Sequence, residues 1–232
     1  FDMQEKGCLM MCKQKSTLDH EFHLADEAEK LGLVVERLNA SQVQSLETEV
    51  EVNVAGAVLF KDDCHFHPGK LMKLLKAYLE NKGVKFQLNS TVTGFEKKEE
   101  NVTAVICNNQ KINCDQLVIA AGSWSPIVCK MLGIHILVQP GKGYSHTYEN
   151  MDSNLQYPAI LVDGRCAVTP WGNSLRIGGT MELSGINNKV LLKRMQGIYD
   201  SAKVFYPGLK IDFPPTDKIW NGLRPVTPDG LP

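Results

Sequence analysis

No stretch of the chain approaches the roughly 20 consecutive apolar residues that a membrane-spanning helix needs, and the N-terminal region lacks the basic-then-apolar order of a secretory signal. A surplus of one charge is missing too: 25 Lys and Arg stand against 26 Asp and Glu, for a formal net charge of -1. No global field therefore favours nucleic acid, and the lysines are scattered rather than massed into a basic block. The seven cysteines (Cys8, Cys12, Cys64, Cys107, Cys114, Cys129 and Cys166) show no paired zinc-type spacing. Their odd number, in a chain long enough to bury a core without staples, reads as reduced thiols in a soluble cytoplasmic protein.

Several catalytic signatures are absent as well. Gly141-Lys142-Gly143 has the glycines and lysine of a phosphate loop, but neither the Walker spacing nor the hydroxyl after the lysine. Ser123 follows Gly122 without the flanking glycines of a nucleophile elbow. A dinucleotide fingerprint of three spaced glycines between strand and helix is not found. Cys64-His65-Phe66-His67 offers two imidazoles and a thiolate, yet no distant second ligand pair, so no metal site is assigned. Three glycosylation sequons, at Asn39, Asn89 and Asn101, carry no weight without a secretory signal.

What is present is a layered alternation of helix and strand. Ser16 or Thr17 can cap a helix with Leu18, Phe22, Ala25, Ala28 and Leu31 on its apolar side and Gly32 behind it. Ser41 and Gln44 form a capping-box pair for a second, short helix. Residues 54–60 read as a buried strand, and Pro68 opens the best helix, whose Leu71, Leu74, Leu75, Tyr78 and Leu79 share a side before Gly83. Strands are expected over 84–88, 91–95, 102–107 and 117–121. After Pro140 the texture turns to glycine-punctuated strands at 159–162, 166–169 and 175–177, followed by an amphipathic helix near 189–203. The fold class expected is α/β (α+β), with a mixed, largely antiparallel sheet.

Four segments, in order along the chain, resemble the D-amino-acid oxidase and dehydrogenase family of flavoproteins, D-amino-acid dehydrogenases most of all. They are Gly56-Ala57-Val58 through His67-Pro68-Gly69-Lys70-Leu71; Leu117 through Ser125; Pro140-Gly141-Lys142-Gly143-Tyr144-Ser145 with Leu175-Arg176-Ile177-Gly178-Gly179-Thr180; and Trp220 through Pro232. The resemblance implies a partial FAD-binding, Rossmann-like domain interrupted by a substrate domain. Residues 1–63 and 140–220 would form the substrate domain, and 64–139 with 221–232 the FAD-binding part.

Residue roles follow from the same resemblance. Arg224 would pair with the substrate carboxylate, which suits a planar guanidinium that stays charged when desolvated. Tyr144 is a candidate wall or hydroxyl donor beside it. Ala120, Ala121, Gly122 and Trp124 would lie against the cofactor, where small residues allow close backbone approach. Gly178 and Gly179 would let a strand lie against the flavin ring, and the backbone of Val92 would meet the adenine.

The reaction implied is hydride transfer from the substrate Cα to flavin, leaving an imine, with no protein nucleophile and positioning as the main contribution of the protein. A small amino acid, of D configuration, is the substrate expected, with a quinone-type electron acceptor and the periphery of the inner membrane as a second location. The alternatives are a glycine- or sarcosine-type amine oxidase and a non-catalytic binding module. Since the glycine-rich loop is absent, the chain opens on Phe1 and it stops just past Thr227-Pro228-Asp229-Gly230, it is expected to be an internal piece whose FAD is held only in the intact protein.

Overall fold

The computed structural model describes residues 1–230; Leu231 and Pro232, which end the fourth segment above, lie outside the described residues. In chain order the elements are β1 (Cys8–Cys12), α1 (Lys15–Lys30), β2 (Val35–Asn39), α2 (Ala40–Leu46), β3 (Gly56–Phe60), α3 (Pro68–Asn81), β4 (Val92–Lys98), β5 (Asn101–Cys107) and β6 (Gln110–Asn113). There follow α4 (Ser125–Lys130), β7 (Gln139–Tyr148), β8 (Ala159–Leu161), β9 (Cys166–Trp171), β10 (Ser174–Glu182), α5 (Leu192–Phe205) and β11 (Trp220–Val226). Eight strands form one sheet in the order β11-β7-β10-β9-β8-β1-β3-β2, and β4-β5-β6 form a separate three-stranded sheet. The large sheet is mixed: β1 runs parallel to β8 but antiparallel to β3, while β8–β9 and β9–β10 are antiparallel. This is the α/β (α+β) class with a mixed, largely antiparallel sheet that the sequence implies.

The chain divides into two compact units, one made of Phe1–Leu75, Gly143–Met181 and Asn188–Gly222, the other of Lys76–Lys142, Glu182–Asn187 and the segment from Leu223 onward. In the first unit the core gathers on one face of the large sheet. Leu9 and Met11 of β1, Leu161 of β8, Val168 of β9 and Leu175 and Ile177 of β10 are buried there, two residues apart wherever one strand supplies both. That spacing is the strand period, which sends alternate side chains to opposite faces. α5 closes over them with Met195, Ile198, Ala202 and Phe205, at helical spacing. Full burial of each large aliphatic side chain contributes about 1.5–3 kcal/mol.

α1 starts differently from the expectation. Its N-cap is Gln14, with no side-chain cap, and neither Ser16 nor Thr17 serves. Thr17 Oγ1 instead donates to Asp163 at 2.6 Å, and the same carboxylate accepts the Lys13 N–H at 2.7 Å. A charged acceptor delivered by the turn after β8 thus displaces the local hydroxyl. Leu31, expected on the apolar side, is 83% exposed, while Gly32 does take the left-handed φ of 88° expected behind the helix. α2 has its capping box two residues earlier than read, with Asn39 and Gln42 as the reciprocal pair. Ser41 lies inside the helix and gives its hydroxyl to Asn39, and Gln44 reaches the carbonyls of Glu47 and Val50.

In the second unit, Asn108 and Asn109 both take positive φ (49° and 64°) and turn β5 into β6 as a two-residue hairpin. The strands expected over 84–88 and 117–121 do not form among the described residues. A strand exists only against a hydrogen-bonded neighbour, and neither segment has one. Their apolar side chains are left in the open, Leu88 at 67% and Val118 at 86% exposure. α3 spans the expected residues from Pro68 to Asn81 but buries none of its own side chains.

Candidate functional site

The face of the large sheet away from the core carries the polar residues. On β10, Leu175 and Ile177 point into the core, so Arg176 and Gly178 fall on the opposite face. Arg176 donates to Ser145 Oγ of β7 at 3.1 Å, and its guanidinium carbon lies 5.8 Å from the Trp171 ring of β9 and 5.3 Å from the Trp220 ring of β11. Four strands thus each send one side chain to the same spot. Burial without a compensating carboxylate lowers the Arg176 pKa from its ordinary value. Trp171 also stacks on His67, with ring centroids 4.5 Å apart, and its indole N–H is buried without an acceptor among the described residues. His65 is buried, and its Nε2 meets the Pro170 carbonyl at 3.1 Å.

Gly178 and Gly179 are demanded first by the sheet itself. A Cβ on Gly178 would come 2.8 Å from Ser145 Cβ and 3.0 Å from the Tyr144 carbonyl oxygen, and one on Gly179 would come 2.7 Å from the Arg165 carbonyl oxygen. Tyr144 goes to the core face, 1% exposed, where its hydroxyl donates to the Lys189 carbonyl and accepts the Leu191 N–H. Ring and hydroxyl are therefore both engaged beneath the sheet, on the side opposite Ser145.

Lys142 is fully buried in the second unit. Its ammonium donates to Asn187 Oδ1 at 2.6 Å and pairs with Glu182 at 3.1 Å. Asn187 in turn donates to the Ser184 carbonyl and hydroxyl. The lysine of the Gly141-Lys142-Gly143 run therefore serves as the anchor of the 182–187 loop.

The second unit also holds the small-residue turn. Ala120 is exposed, Ala121 half-buried, and Gly122 opens a 3-10 turn with a φ of 54°, a left-handed value that suits glycine. Nothing lies within 4 Å of where its Cβ would stand. The next hydroxyl, that of Ser123, is buried and has no partner among the described residues. Trp124 follows at 47% exposure, at the start of α4. Val92, half-buried, opens β4 opposite Cys107, just before a register irregularity at Gly94.

On β11, Trp220 folds back over Gly222, where a Cβ would collide with the indole. Strand alternation puts Arg224 on the same face as these two. Arg224 is exposed, and no carboxylate of the described residues pairs with it.

Comparison with known proteins defines the class. The model of the DAO family of FAD-dependent oxidoreductases matches residues 1–232, the whole chain, and the chain belongs to that family. Among curated relatives, the D-amino acid dehydrogenase of Rhizobium johnstonii is 31% identical and that of Granulibacter bethesdensis 28%, each over all of this chain and 56% of the relative's length. The chain thus spans a little over half the length of these relatives. Among solved structures, glycine oxidase from Geobacillus kaustophilus superimposes with a TM-score of 0.88 at 21% identity, over 100% of this chain and 62% of its own. L-proline dehydrogenase from P. horikoshii gives 0.85 at 17% identity, over 99% of this chain and 63% of its own. At such identities the superpositions speak for the fold.

The residues at the turn fit the family's cofactor. Nothing lies within 4 Å of a Cβ on Gly122, and two alanines precede it, so a nucleotide could approach the backbone of this turn closely. Arg176, Ser145, Trp171 and Trp220 had no role from sequence. Their signal was the alternation Leu175-Arg176-Ile177, in which a cation sits between two core residues and so must face away from the core. No group of three or more His, Cys, Asp or Glu residues is placed to hold a metal among the described residues, and none of their helices is long and apolar enough to cross a membrane.

Proposed function

We propose that the protein to which this chain belongs oxidises the amine of a small amino acid, a D-amino acid by preference, using FAD. The observation that carries this reading is Arg224: an exposed guanidinium at a sheet edge without a carboxylate of its own, in a family of FAD-dependent oxidoreductases. A substrate carboxylate is its natural complement, held by two parallel hydrogen bonds. Curated relatives named D-amino acid dehydrogenase support the substrate class.

Residues 1–63 and 140–220 are assigned to substrate handling, and 64–139 with 221–232 to the FAD-binding part. Ala120, Ala121, Gly122 and Trp124 hold the cofactor at the small-residue turn, with the Val92 backbone at the adenine and Gly178 and Gly179 at the roof. Tyr144, locked in the core, backs the strand that carries Ser145 and so acts on the substrate pocket from behind. The exposed apolar side chains of α3 and of 84–88 and 117–121 support a grip on FAD shared with sequence that the longer relatives have and this chain does not.

When bound, FAD would supply the acceptor for the hydride, and a quinone-type acceptor at the membrane periphery would take the electrons on. The substrate Cα–H bond breaks as the amine lone pair forms the C=N bond, and water then hydrolyses the imine to an oxo acid and ammonia. The chain's part is to fix the carboxylate and thereby the Cα, so that no side chain need act as nucleophile. The test is dye reduction by the complete FAD-loaded protein with D-amino acids, L-amino acids, glycine, sarcosine and hydroxyproline. Turnover of D-amino acids without peroxide is expected. Peroxide formation with glycine or sarcosine would point to the oxidase instead, and inactivity on every amine would overturn the reading.

A further inference from the structure

The core side of the large sheet, opposite Arg176, carries a groove that neither the substrate nor the cofactor assignment uses. Tyr144 and Tyr148 of β7 both pack with the core, on the side that α5 covers. Beyond them Tyr148 and His146 line a cavity of about 550 Å³, whose other walls are the 149–153 loop, the end of α5 at Lys203 and residues 210–215. All of these belong to the first unit. The volume falls among those of small-molecule sites, about 300–1,000 Å³. Its walls are fixed by side chains that hold backbone carbonyls. The Tyr148 hydroxyl donates to Asp212 at 3.0 Å, the Tyr199 hydroxyl to Ile211 at 3.1 Å and the Lys203 ammonium to Leu209 at 2.6 Å. A groove held in this way need not be ordered again when a ligand enters.

The charges are divided between the walls. On one, the half-buried Lys203 has a single carbonyl partner, and neither it nor Lys210 pairs with a carboxylate among the described residues. On the other, Glu149 accepts from the Ser174 hydroxyl, and the exposed Asp152 makes no hydrogen bond or ion pair among the described residues. Asp212 adds a carboxylate to the first wall, so the groove offers both signs and suits neither a simple anion nor a simple cation. A partly desolvated ammonium without a counter-charge calls for a carboxylate, and the free acid across the groove calls for an ammonium. Tyr148, whose hydroxyl is engaged, and Phe213 present ring surface to the same cavity. We propose that this groove binds a free α-amino acid as a zwitterion, with its carboxylate at Lys203, its ammonium at Asp152 and its side chain against Tyr148 and Phe213. The proposal is independent of the role given to Arg224.

The probe is α-methylphenylalanine, which has no Cα hydrogen and so cannot be oxidised at a flavin. Isothermal titration of the complete flavoprotein should give saturable binding, and flavin absorbance followed in parallel should not change with the same midpoint. The analogue with hydrogen in place of the ammonium should bind more weakly. Lys203→Met should weaken the probe by about tenfold, the worth of one hydrogen bond to a charged group, and leave flavin content and turnover unchanged. Asp152→Asn should remove most of the preference of the probe over its deaminated analogue, and it decides the matter should Lys203→Met fail to fold. The proposal is overturned by a flat titration, by equal affinity for the deaminated analogue, by binding that tracks the flavin spectrum, or by binding of both compounds unchanged in either folded variant.

Discussion

Lys142 and Glu182 form a buried ion pair, with the ammonium 3.1 Å from the carboxylate and side-chain exposures of 0% and 7%. Asn187 completes the shell by accepting from the same ammonium. Breaking such a pair by removing one partner strands a charge in the interior, at a cost of about 3–5 kcal/mol. Glu182→Gln should therefore lower the urea midpoint strongly. Replacing both partners at once, Lys142→Met with Glu182→Leu, should cost much less, because no orphaned charge remains. Equal losses for the single and the double variants would show that packing, and not charge, is what the pair contributes.

Glu47 makes the stability of the first unit pH-dependent. It is fully buried, and although each carboxylate oxygen accepts a backbone N–H, from Gln156 at 2.7 Å and Tyr157 at 3.0 Å, burial prevails and lifts its pKa to about 7. The folded state thus holds the proton at pH values where the unfolded chain, near the ordinary 4.5, has released it. Stability contributed by this group is whole below pH 4.5 and declines as pH rises to about 7. Urea midpoints measured across that window should fall with rising pH in the parent and be flatter in Glu47→Gln.

Asp163 shows the opposite sign. Burial works to raise its pKa, but hydrogen bonds from Thr17 and from the Lys13 and Gln14 N–H groups outweigh it and hold the pKa below the usual carboxylate range. Its contribution is present at neutral pH and lost as pH falls through the depressed pKa. Asp163→Ala removes the acceptor that serves the start of α1 and should destabilise by about 1–2 kcal/mol. Thermal melts near neutral pH are the measurement, and the difference from the parent should shrink on acidification.

Arg224→Leu in the complete flavoprotein should raise KM far more than it alters flavin content. Loss of one partner of a desolvated charge pair costs about 2–5 kcal/mol, which places the loss in kcat/KM between tens and thousands of fold. Steady-state kinetics with flavin absorbance measured on the same preparation separate the two effects. Unchanged kinetics would remove Arg224 from the substrate site.

Much of the architecture was legible where local signals and tertiary partners agree. α3 begins at Pro68, and β8 to β10 lie near their expected places, because proline and strand alternation state their geometry in the sequence. β1 was missed: Cys8–Cys12 is too short and uniformly apolar to show a period, and its identity as a strand comes from pairing with β3 and β8. The caps of α1 and α2 were misplaced for the converse reason. A distant carboxylate, Asp163, outbids the local hydroxyls at α1, and Asn39, two residues before the Ser41 read as the start, caps α2. Residues 84–88 and 117–121 carry strand composition but no neighbour to pair with. In the site, the glycines were visible and the roles of their neighbours were not, since the Arg176 cluster draws one residue from each of four strands and no linear motif encodes it.

The parallel pairing of β1 with β8 has a consequence for biosynthesis. Leu9 leaves the ribosome 150 residues ahead of its partner Ala159. The hairpin-like trio of β1, β3 and β2 must therefore wait with one backbone edge unpaired, in the manner of a high-contact-order nascent chain. Newly made protein is exposed during that interval to edge-to-edge association, and holding chaperones would act on this strand before any flavin can matter.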